Sequence, residues 1–240
     1  MSVAISRRSA VFLALALFLP GLSGCGYGSK VESGNIEVYY KDGATKAEAD
    51  RLAAYLAKQW GAAGDRRSVQ LTKNGGKYQF RMVVKKGFEN NPAFLAEVPV
   101  ISARLSRDVL EGGEVEFHVC DETLKTLKTI PMRDDMRSAF ALNRIEVFYA
   151  PSVTKDEVEA FANHVKADAG DAKELSFTLT RRGDVVEVRM PVDSNLLNDP
   201  GTEASLRADL KRVSTNVFKG APVELHLCDI YLNVQKVLKP

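Results

Sequence analysis

The 240-residue chain holds only three cysteines, three histidines and one tryptophan. Few groups are therefore available for nucleophilic, redox or metal chemistry, and the spacings that such chemistry uses are missing. There is no Cys-x-x-Cys, no His-Glu-x-x-His, no Gly-x-Ser-x-Gly, no phosphate loop and no glycine-rich dinucleotide fingerprint. An excess of charge is missing too. The chain has 33 Lys+Arg against 31 Asp+Glu, and two of the basic residues are Arg7 and Arg8, so residues 25–240 hold 31 of each sign. A neutral chain with scattered charges gives no electrostatic reason to expect nucleic acid or a polybasic membrane contact. Long apolar runs are also lacking. The longest, from Ala10 to Pro20, falls short of the ~20 residues a membrane-spanning helix needs. No enzymatic activity, metal or cofactor is expected from this composition.

What is present begins at the N-terminus. Arg7 and Arg8 precede the apolar run, no acidic residue occurs before it, and Leu22-Ser23-Gly24-Cys25 follows. This is the layout of an export signal over residues 1–24. Here the chain resembles the bacterial lipoproteins, whose lipobox ends in small residues followed by cysteine. The resemblance covers the first 25 residues and implies that Cys25 becomes the first mature residue, carrying a diacylglyceryl thioether and an N-acyl group such as palmitate. It also implies an extracytoplasmic protein tethered to the membrane by that lipid. Gly26 in second position, rather than aspartate, implies the periplasmic face of the outer membrane in a Gram-negative envelope. Ser6-Arg7-Arg8 resembles a fragment of a twin-arginine signal, so the export route stays open.

The second feature is an internal repeat. Asn35-Ile36-Glu37-Val38-Tyr39-Tyr40 recurs as Arg144-Ile145-Glu146-Val147-Phe148-Tyr149, and Glu116-Phe117-His118-Val119-Cys120-Asp121 recurs as Glu224-Leu225-His226-Leu227-Cys228-Asp229. The offset is 109 residues and slips to 108 after the first helix, which indicates a duplication. The expected units are a tether over 25–34, a first copy over 35–130, a linker over 131–144 and a second copy over 145–240.

Within a copy, Ile36, Val38 and Tyr40 alternate as in a half-buried strand. Thr45 and Glu48 form a capping box ahead of the helical stripe Ala49, Leu52, Ala53, Leu56 and Trp60. Lys73-Asn74-Gly75-Gly76 and Arg181-Arg182-Gly183-Asp184 read as hairpin turns. Asn91-Pro92 and Asp199-Pro200 read as helix starts, with Pro99 expected to kink or delay the first of these helices. The fold class expected is α+β: a tandem duplication of a β-α-β-β-α-β, ferredoxin-like unit with an extra C-terminal strand or short element in each copy. Antiparallel sheets would carry their helices on one face only.

That arrangement predicts an open polar sheet face in each copy. In the first it would display Glu37, Tyr39, Gln79, Arg81, Glu116 and His118, and in the second Glu146, Phe148, Glu187, Arg189, Glu224 and His226. Three readings of the repeated Glu-x-His-x-Cys-Asp row are open. It is a polar sheet face with cross-strand Arg-to-Glu pairs and small buried thiols, a Cys120–Cys228 disulfide, or a metal site built from His118, Cys120, His226 and Cys228. The function expected is a lipid-anchored, non-enzymatic binding or scaffolding module whose open sheet faces engage another envelope protein. The alternative is a metal- or thiol-based envelope protein.

Overall fold

The computed structural model describes residues 26–61, 65–169, 174–193, 197 and 199–240; the signal segment and Cys25 lie outside them. The described chain divides into two compact units that meet in sequence between Met132 and Arg133. The first contains β1 (Ser29–Ser33), β2 (Ile36–Lys41), α1 (Lys46–Trp60), β3 (Arg67–Asn74), β4 (Lys77–Val83), α2 (Pro92–Asp108), β5 (Val115–Cys120) and β6 (Thr126–Ile130). The second contains β7 (Ser138–Leu142), β8 (Ile145–Tyr149), α3 (Lys155–Ala169), β9 (Leu175–Arg182), β10 (Val185–Pro191), α4 (Pro200–Asn216), β11 (Val223–Cys228) and β12 (Val234–Leu238). The α+β tandem duplication is therefore the fold of the chain.

Each unit is a six-stranded sheet whose strands lie side by side in chain order. The sheets are mixed. In the first, β2 and β3 are parallel, as are β4 and β5, and the other neighbours are antiparallel. The second sheet repeats this pattern. The antiparallel, interleaved strand order of a ferredoxin-like unit is thus replaced by two direct β-α-β crossovers joined by a hairpin.

Both helices still cover one face. Tyr78 of β4 hydrogen-bonds Glu48 of α1, while Phe80, two residues on, meets Phe117, which meets Phe94 of α2. The two crossovers advance the same way across the sheet while their strands run oppositely, so with both helices on one face they have opposite hands. One of them departs from the right-handed rule, and interleaving the strands is the usual way to avoid that. The apolar core lies between this face and the helices, with Leu52, Leu56, Leu71, Phe80 and Phe117 fully enclosed. Leu179, Val186, Phe161 and Val213 occupy the equivalent layer in the second unit.

Local signals set the helix ends. Asn91 and Asp199 cap α2 and α4, each followed by proline in the first turn. The helix containing Pro99 starts at Pro92 without delay. Residues 29–33, expected as tether, form the edge strand β1, and residues 138–142, expected as linker, form its counterpart β7. Gly28 makes the entry to β1 possible: its φ is +87°, and an added Cβ would stand 2.3 Å from the Tyr40 carbonyl oxygen.

The first helix of each unit is tied to the sheet by a carboxylate. Glu48 closes the capping box on Thr45 and also accepts a 2.5 Å hydrogen bond from Tyr78, with the Lys73 ammonium 3.7 Å away. Glu157 caps Thr154 in the same way and pairs with Arg181 at 2.5 Å. Arg181, at the end of the strand leading into the hairpin turn, is thereby half-buried. Burial alone would raise both carboxyl groups. For Glu48 the Tyr78 and Thr45 hydrogen bonds and Lys73 outweigh it, and for Glu157 the Thr154 bonds and Arg181 do so, leaving both below the ordinary glutamate value. A carboxyl depressed in the folded state stabilises it above the ordinary value, and that contribution disappears as pH falls through the folded-state value. Denaturant titrations at stepped pH are expected to show stability falling on the acid side of the glutamate range. Glu48→Gln is expected to lower stability at neutral pH and to flatten this acid dependence.

Candidate functional site

The residues expected to form the site do align, because register is fixed by the buried face. One line of paired positions crosses the first sheet on the face away from the helices: Tyr39, Gln70, Arg81, His118 and Thr129. The line in the second sheet is Phe148, Thr178, Arg189, His226 and Val237. Gln79 and Glu116 pair beside the first line, and Glu187 and Glu224 beside the second.

These faces are not open. Glu37 and His118 are each 7% exposed, Phe148 1%, Glu187 4% and His226 8%. Tyr39, Gln79, Arg81, Glu116, Glu146, Arg189 and Glu224 are half-buried. Part of the cover comes from the residues leading into the first strand of each unit. The Tyr27 carbonyl accepts a 2.9 Å bond from Gln70 Nε2, its ring leans on Tyr39 with centroids 5.7 Å apart, and its hydroxyl reaches the Thr123 carbonyl at 3.4 Å. At the 109-residue offset Tyr27 corresponds to Met136, which is 1% exposed and follows Asp135, the partner of Arg189 at 2.9 Å. The shared offset was the one sequence signal for this cover, and a Gly-rich, polar stretch at 26–34 conceals it.

The rows differ in how their arginines are neutralised. Arg189 lies against Asp135 at 2.9 Å and Glu187 at 3.6 Å. At the matching positions the first unit has Gly26 and Gln79, so Arg81 turns to uncharged groups, donating to the Leu124 carbonyl at 2.6 Å and contacting His118 Nδ1 at 3.4 Å. His118 meets Glu116 at 2.6 Å, and His226 meets Glu224 at 3.3 Å. The expected cross-strand Arg-to-Glu pair is therefore absent from the described partners of Arg81, and in the second unit Arg189 reaches Glu187 along its own strand. Each arginine keeps a buried Nε without a partner, as does His226 Nδ1.

Cys120 and Cys228 are free and fully buried, so the Cys120–Cys228 disulfide is not formed. Burial pushes both thiols up, outweighing the nearby Arg81 and Arg189. In the first row His118 spends its ring nitrogens on Glu116 and on Thr126 and Arg81. Among the described residues the one group with converging ligand atoms is His164, Asp168 and Asp209. Arg212 occupies it, 2.6 Å from Asp168 and 2.9 Å from Asp209, with His164 on Asp209 at 3.0 Å. His164 is thus half-buried. Sequence reasoning missed this network because its members come from two different helices.

The AF_1994_N family model, described as a family N-terminal domain, matches residues 30–131 and again 139–239. The chain belongs to that family and carries its domain twice, each match spanning one six-stranded unit. No curated protein matches the chain.

Both cysteines are expected to stay silent toward a thiol reagent in the native protein and to react together once denaturant unfolds it. A fast-reacting thiol at either position before unfolding would contradict the enclosed rows.

Proposed function

We propose that the protein is a lipid-anchored envelope lipoprotein acting without catalysis, as a binding or scaffolding module for another envelope protein. The observation that carries this reading is the position of the lipobox cysteine. Cys25 directly precedes Gly26 and Tyr27, which are fastened to the first unit through the Gly26 carbonyl, bonded by Lys41, and the Tyr27 contacts. An acyl chain on Cys25 would hold this unit close to the bilayer rather than on a long tether, and several acyl chains bind far more firmly than one. The binding role rests on the polar rows. Their acid, arginine and histidine recur in both copies, and their half-buried members Tyr39, Gln79, Arg81 and Glu116, with Glu146, Arg189 and Glu224, are the part a partner could reach. Recognition would then use the rims of the rows instead of open faces. The thiols of the rows, Cys120 and Cys228, are enclosed with raised pKa values, which makes them poor nucleophiles.

A photoreactive residue in place of Gln79, in the full chain inside cells, is expected to give a discrete adduct with another envelope protein. Arg81→Glu should reduce that adduct at least several-fold while leaving the chain folded. The same probe giving no adduct, or an adduct indifferent to Arg81→Glu, would contradict the role of the row.

A further inference from the structure

The two polar rows are covered by equivalent residues, but only one of the covers is locked by charge. Over the second row lies the short turn Asp134–Met136, which packs on β8 and β9. Asp135 accepts from Arg189 at 2.9 Å and is itself held by Arg133 through two bonds, at 2.8 and 2.5 Å. Charge-assisted bonds of this kind are about twice as strong as neutral ones. Met136, beside them, is fully enclosed.

The cover of the first row is a strap of three residues, Gly26, Tyr27 and Gly28. Lys41 Nζ donates to the Gly26 carbonyl at 2.9 Å, Gln70 Nε2 to the Tyr27 carbonyl at 2.9 Å, and the Tyr27 hydroxyl to the Thr123 carbonyl at 3.4 Å. The first and last of these bonds lie in solvent, and both glycines are exposed while Tyr27 is half-buried. What the strap presents to the row is therefore one tyrosine ring, leaning on Tyr39, and one backbone carbonyl, accepting from Gln70. In the second unit Phe148 and Thr178 stand where Tyr39 and Gln70 do, and a methionine stands in place of the tyrosine. The strap also leaves a donor unused: Arg81, paired with Gln70 in the register, keeps a buried Nε without a partner.

We infer that Gly26–Gly28 is an internal ligand closing a peptide-binding groove on the first row. The groove's external occupant is an extended segment of the partner protein that sets a tyrosine against Tyr39 and a backbone carbonyl on Gln70. Such a segment reproduces the contacts that the strap now makes, and one running further along the row would also meet Arg81. A ligand on a short connection competes at an effective concentration of about millimolar, so the strap excludes weak binders and yields to a tighter one. Docking of the strap depends on Gly28, where φ is +87° and an added Cβ would stand 2.3 Å from the Tyr40 carbonyl oxygen. The second row, with its cover locked, is not expected to open. This inference rests on the binding role proposed for the rows and extends it from their rims to the floor beneath Tyr27.

The test uses the full chain, expressed in cells and purified, with the Gln70 side-chain amide followed by nuclear magnetic resonance. The probe is the peptide Gly-Tyr-Gly-Ser, blocked at both ends, which copies residues 26–29. In Tyr27→Ala and in Gly28→Ala the probe is expected to shift the Gln70 amide at a concentration at least about ten-fold lower than in the unaltered chain, because the internal competitor is weakened. The same peptide with alanine in place of its tyrosine is expected to leave the amide unmoved. Unchanged circular dichroism and silent Cys120 and Cys228 show that a variant is folded, and Gly28→Ala releases the strap without altering a side chain of the row. The inference is overturned if the probe shifts neither variant, if it shifts the unaltered chain at the same concentration, or if it acts equally without its tyrosine. No envelope protein takes part in this titration. Its failure would therefore leave the Gln79 adduct and the reading behind it standing, whereas a successful titration without that adduct would remove the envelope partner and keep the groove.

Discussion

The carboxylate of Glu48, with Glu157 in the second unit, is the joint on which each unit depends. It closes the cap of the first helix and at the same time reaches the sheet, through Tyr78 and Lys73 in one copy and Arg181 in the other. A single ionised group thus fixes where the helix begins and how that beginning sits over the sheet. The apolar stripe Ala49, Leu52, Ala53 and Leu56 then meets the sheet in one rotation only. The alternating register carries that choice to the opposite face, since turning Val69 and Leu71 inward turns Gln70 and Thr72 outward.

The opposite face then has to accommodate polar side chains that are nearly or fully enclosed. Buried polar groups are costly unless they are hydrogen-bonded, and the two copies meet this need differently. The second unit brings in a carboxylate, Asp135, for its arginine. The first uses the Leu124 carbonyl and the Tyr27 segment. Duplication kept the row while the neutralising groups changed around it. The outer edges diverged further, from threonines and a free lysine on β6 to valines on β12.

The features legible in the sequence were the local ones. Thr45 with Glu48, Asn91-Pro92, Asp199-Pro200 and the glycine turns each encode an element end within a few residues, and every one of them sits where expected. The duplication and the α+β class were legible for a related reason, since a constant offset needs no knowledge of packing. Strand order was not, because it depends on which crossovers run against the preferred hand, and no single residue encodes that. The cover over the polar faces was not legible, because Tyr27 and Met136 act on residues far away in sequence from stretches that resemble linkers. Pairing of the candidate row was legible from alternation alone, but its burial and its partners were not.

Under the proposal that Cys25 carries the lipid, a first unit held at the membrane and two largely buried polar rows would make the chain an adaptor built by doubling a small domain. The tether is the premise on which that description of a membrane-bound module rests. Intact-mass and N-terminal peptide analysis of the protein isolated from membranes tests it most directly. The account predicts a mature chain that begins at Cys25 and bears a diacylglyceryl group together with an N-acyl chain. A chain that retains Met1, or one with an unmodified thiol at Cys25, would contradict it.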